Sequence, residues 1–96
     1  MRVRLDSKVY LDLLEIMEHY EDEGGPEVAA AFYEEFRQYA KTAGERPYSF
    51  PGYEEYRRVN MGKFPHHFLF EIVNETTIRI TVLRHDRRHP DFGLGR

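Results

Sequence analysis

A chain of 96 residues with 41% apolar side chains and no cysteine has room for one hydrophobic core, and it has neither a disulfide framework nor a thiolate metal site. It is too apolar for a disordered tail and has no run of about 18 apolar residues that could span a membrane. With no basic-then-apolar leader, it is expected to be soluble and cytoplasmic. The net charge of -3 hides an asymmetry: residues 1–55 carry 13 acidic and 6 basic side chains, whereas residues 56–96 carry 4 acidic and 8 basic. Four of the five histidines also fall in the second part. A basic half of this kind suits a polyanion or an acidic protein partner.

Met1 to Leu5 alternates Val3 and Leu5 with Arg2 and Arg4, the period of a short strand with one buried face. Asp6 or Ser7 can cap a helix from Ser7 to Asp22, with Tyr10, Leu13, Leu14, Met17 and Tyr20 as its apolar stripe and Val9 and Ile16 widening it. Gly24-Gly25 stops that helix and Pro26 opens a second, so the two are expected to form an antiparallel hairpin. The second helix presents Val28, Ala29, Phe32, Phe36, Tyr39, Ala40 and Ala43, and Gly44 is expected to end it. Pro47, Pro51 and Gly52 predict a loop over Glu45 to Tyr53, with Tyr48, Phe50 and Tyr53 covering the end of the core.

The last part reads as a meander of three strands: Glu55 to Met61, His67 to Val73, and Thr77 to Arg84 after an Asn74-Glu75 turn. Alternation places Phe68, Phe70 and Ile72 on one face of the second strand. In the third it places Ile78, Ile80 and Val82 together, opposite Arg79, Thr81 and Leu83. The predicted fold class is therefore α+β, with an N-terminal strand and an antiparallel helical hairpin packed on a three- to four-stranded antiparallel sheet.

In this order, the N-terminal strand, the helical hairpin, Tyr56-Arg57-Arg58-Val59, Lys63-Phe64-Pro65-His66 and His85-x-x-Arg88-x-Pro90 resemble the RelE/ParE superfamily of toxins. Those are toxins of type II toxin–antitoxin modules, of the plasmid-stabilisation type. The resemblance spans residues 1–96 as a single domain. It implies a growth-arresting activity, a cognate antitoxin and a toxin–antitoxin hetero-oligomer.

Two modes of action follow from the resemblance. A RelE-like ribosome-dependent mRNA endonuclease needs a base, a proton donor and cations around the crowded phosphate, and Arg58, His85 and Arg88 are the candidate catalytic residues. His67 is a second candidate base. RelE-like proteins, however, carry denser Lys and Arg on the central strands and a functional tyrosine near the C-terminus, where this chain has Phe92, whose ring donates no proton. A ParE-like toxin instead poisons DNA gyrase by binding, which the long first helix and the Lys-Phe-Pro connection favour. Arg57, Lys63, Arg84, Arg87 and Phe92 are then the candidate partner-binding residues, with a short acidic antitoxin covering the basic end of the sheet. A non-toxic partner-binding module is a third possibility. No cofactor or metal is expected: His66, His67, His85 and His89 have no helical ligand spacing, and Pro90 argues against a helix there.

Overall fold

Asp6 starts the first helix by accepting a hydrogen bond from Lys8 N at 2.9 Å. In the computed structural model, which describes residues 1–96, this helix, α1, spans Ser7–Gly24 and follows strand β1, Arg2–Leu5. Gly25, at φ 88°, adopts a backbone that other residues rarely take, and Pro26 then begins α2, Pro26–Glu45. The hairpin is followed by a 3-10 turn at Pro47–Ser49 and by β2, Gly52–Tyr53. Three further strands complete the chain: β3, Tyr56–Asn60; β4, His66–Asn74; and β5, Thr77–His85.

The strands form one sheet in the order β1-β5-β4-β3-β2. All neighbours are antiparallel except β1, which runs parallel to β5 with Val3 opposite Ile78. The sheet thus has five strands and is mixed, against the three to four antiparallel strands predicted. Two additions explain the difference. The helical hairpin returns the chain antiparallel to its start, so β1 pairs beside β5 in parallel, and the aromatic loop contributes the two-residue strand β2.

One face of the sheet is covered by the hairpin. Val9 and Leu13 of α1 and Phe32, Phe36, Ala40 and Ala43 of α2 pack against Val59, Met61, Phe68, Phe70, Ile78, Ile80 and Leu83. Each fully buried large side chain there contributes about 1.5–3 kcal/mol. The α1 stripe is rotated from the predicted one. Asp12 points inward and is 5% exposed, which turns Tyr10 (56% exposed) and Leu14 (63% exposed) towards solvent.

In β5 the predicted alternation breaks. Leu69 faces Val82 and Phe70 faces Ile80, so Thr81 is an extra residue in the ladder. That bulge moves Leu83 to the helix side and Val82 to the other. Val82, Leu69 and Tyr56 form a small second core against which Tyr53, Phe92 and Leu94 pack. Gly44 does not end α2 but lies within it: a Cβ there would sit 2.7 Å from Val3 Cγ2 and 2.9 Å from Met1 O. Its carbonyl accepts from the Met1 amino group at 2.7 Å, joining the start of β1 to the C-terminal end of α2.

Candidate functional site

The start of β4 and the end of β5 gather histidine, arginine and aspartate side chains on two faces. On the face away from the helices, His67 stands between Arg84 and Asp86. Arg84 Nε donates to His67 Nε2 at 2.9 Å, so the ring proton lies on Nδ1, 2.8 Å from Asp86 Oδ1. A second proton on Nε2 would set donor against donor beside a guanidinium. His67 is accordingly held below the usual histidine range, first by burial and then by Arg58 and Arg84, with the Asp86 hydrogen bond opposing. Arg58 joins the same face, giving Nε to Asn60 Oδ1 at 2.8 Å and standing 3.8 Å from Asp86.

On the helix-facing side, His66 packs among Phe32, Tyr20 and His85, at ring-centroid distances of 4.9, 5.7 and 5.0 Å. It is 3% exposed, and burial, reinforced by the nearby His85, lowers its pKa to about 4. His85 accepts from Arg87 N on Nδ1 at 3.0 Å, so its neutral ring carries the proton on Nε2. Arg88 lies over the Phe92 ring, 4.0 Å from its centroid.

The proposed catalytic trio is therefore divided. His85 and Arg88 line a cavity with α1, whereas Arg58 lies on the opposite face beside Asp86. Among the expected partner-binding residues, Arg84 is 3% exposed and faces inward. Its Nη1 donates to Pro90 O at 2.7 Å and to Phe92 O at 2.8 Å, so it positions His67 and the C-terminal segment. Phe92 is half-buried in the second core and beneath Arg88, and does not stand free. Arg57 donates to Phe50 O at 2.8 Å and stacks over Tyr48, while Arg87 is exposed. Lys63 is anchored by its backbone, whose N–H meets Glu35 at 3.1 Å.

The largest depression lies elsewhere, between β1, α1 and α2. Val3, Leu5, Tyr10, Leu13, Tyr33, Phe36 and Ala40 line a groove of about 770 Å³, rimmed by Arg4, Arg37 and Lys41. Arg37 is paired with Glu34 at 2.9 Å, which leaves Arg4 and Lys41 as its unpaired cations. Leu11 and Leu14 extend the apolar surface along α1 at 62% and 63% exposure.

A chain of the chromosomal ParDE TA system from P. aeruginosa matches this architecture with a TM-score of 0.78, covering 88% of this chain and 95% of that one at 20% identity. The fold is shared with a ParDE-system chain. No family model and no curated protein matches the sequence. The ParDE-like scaffold is thus reached here with a largely different set of side chains.

Sequence reasoning missed three features of this chain. Asp12 in α1 binds Arg96 through both oxygens, at 2.5 and 3.0 Å, and accepts from Leu83 N at 3.2 Å. A lone acid amid Val9, Leu13 and Ile16 was the signal for it. The groove was missed because Tyr10 and Leu14 were assigned to the core. The His67 relay was missed because it joins residues on two strands whose register a bulge controls.

Proposed function

We propose that this chain is the toxin of a type II toxin–antitoxin module, neutralised by a cognate antitoxin, and that it acts as a ParE-like binder of DNA gyrase. The observation that carries the reading is the fold shared with the ParDE-system chain over 88% of this one. The apolar groove with its Arg4 and Lys41 rim supports the antitoxin. An acidic amphipathic helix would lay its apolar face on Tyr10, Leu14 and Tyr33 and its carboxylates on the two cations. This site differs from the basic end of the sheet to which the charge distribution pointed.

Binding is favoured over RNA cleavage by the state of the histidines. His67 Nε2 is occupied by Arg84 and His85 Nδ1 by the Arg87 amide, so neither presents a free acceptor to a ribose 2'-OH. Inducing the chain with and without its genetic neighbour, then assaying growth, transcript integrity and gyrase supercoiling in the same cells, tests the reading. Growth arrest with intact transcripts, impaired supercoiling and rescue by the neighbour is the expected result. Cleaved transcripts would replace it with the endonuclease reading. Unhindered growth with abundant folded protein would leave only a partner-binding module.

A further inference from the structure

We propose that the cavity where β4 begins and β5 ends against α1 is a phosphate site, taking one tetrahedral oxyanion between Arg88, His85 and His66. The cavity is about 90 Å³ and is lined by those residues together with Asp12, Glu15 and Phe92. The space is small, as suits a single phosphate group.

Three side chains on its lining can meet an oxyanion. Stacking on Phe92 fixes the plane of the Arg88 guanidinium and leaves its N–H edges free, the geometry that matches phosphate oxygens. His85 offers Nε2–H because its Nδ1 already accepts from the Arg87 amide. His66 is almost fully buried, its Nδ1 stands 3.5 Å from the Tyr20 hydroxyl, and its Nε2 makes no hydrogen bond.

The carboxylates on the lining do not make this a cation site. Asp12 is neutralised by its two-point pair with Arg96. Glu15 is exposed and in no ion pair, but the fixed charge of Arg88 opposes a metal, and no three His, Asp or Glu side chains converge in a metal-binding arrangement. Glu15 instead weakens anion binding. The phosphate can come from the free ion or from the phosphorylated end of a nucleotide or nucleic acid. The site stands independently of the toxin reading.

Titrating inorganic phosphate into the full chain at pH 7, followed by NMR of the imidazole ring nitrogens, tests the proposal. Saturable shifts of His66 and His85 are expected, about tenfold weaker in Arg88→Gln, in line with the loss of a charge-assisted hydrogen bond. Arg88→Lys should recover part of the affinity, and Glu15→Gln should tighten binding several-fold. A nucleoside 5'-monophosphate and an oligonucleotide with or without its 5'-phosphate identify the source by competing with the ion. Absence of saturable shifts, an Arg88→Gln variant that binds as before, or saturable zinc binding abolished by Glu15→Gln would each overturn the assignment. Amide spectra of every variant confirm that the fold is intact.

Discussion

Replacing His66 with phenylalanine isolates what a buried neutral imidazole contributes to the pH dependence of stability. In the folded chain its pKa is lowered from 6.5 to about 4, with burial as the leading cause. Between those values the unfolded chain binds more protons than the folded one, so stability rises with pH. The contribution is fully present above pH 6.5 and drains away as pH falls towards 4. At pH 4.5 the loss comes to about 2.5 kcal/mol at 1.36 kcal/mol per pKa unit. Phe fills the same aromatic setting against Phe32 and Tyr20 without titrating. Urea unfolding of both proteins at pH 7 and pH 4.5, in buffers free of phosphate, should show the native chain losing about 2.5 kcal/mol more than His66→Phe. Carboxylate titration is common to the two and cancels in the difference. Equal losses, or a His66 ring that titrates near 6.5 by NMR, would refute the reasoning.

Asp12→Ala strands the Arg96 guanidinium and the Leu83 amide, and should cost about 3–5 kcal/mol in denaturant unfolding, as for a broken buried pair. Arg84→Met removes both hydrogen bonds to the C-terminal segment, so amide exchange at Phe92 and Leu94 should accelerate while the core of α2 stays protected. Gly44→Val places a branched side chain against Val3 and Met1 O and should detach β1, read as lost protection at the β1 amides and a lower Tm. A Leu14→Glu variant alters only an exposed position, so its unfolding free energy should stay within the roughly ±0.5 kcal/mol typical of surface changes while co-purification with the product of the neighbouring gene is lost.

Element types and order were legible because local signals agreed: Asp6 as cap, Gly25-Pro26 as hinge, and period-two alternation in β4. The parallel pairing of β1 with β5 and the two-residue β2 were not, since both depend on partners distant in the chain. The rotation of α1 turned on a single residue. Asp12 reads as a break in an apolar stripe, yet it is the residue that faces inward, because only there does it meet Arg96 and the Leu83 amide. Of the candidate site, the clustering of Arg58, His85, Arg88 and Arg84 at one end of the sheet was visible. Their division between two faces was not, since the bulge at Thr81 shifts the ladder there by one residue.

The Asp12–Arg96 pair also bears on how this protein behaves in a crowd of its own kind. β1 covers β5 only from Thr77 to Ile80, and beyond it the ladder would lie open. Arg96 donates to Thr81 O at 3.3 Å and Asp12 accepts from Leu83 N, so two linked side chains satisfy main-chain groups that a neighbouring molecule's strand could otherwise recruit. The far edge is the two-residue β2, too short to template much. Disrupting the pair should therefore do more than loosen one monomer: it would open a sticky seam and favour fibre-like stacking from the β5 side.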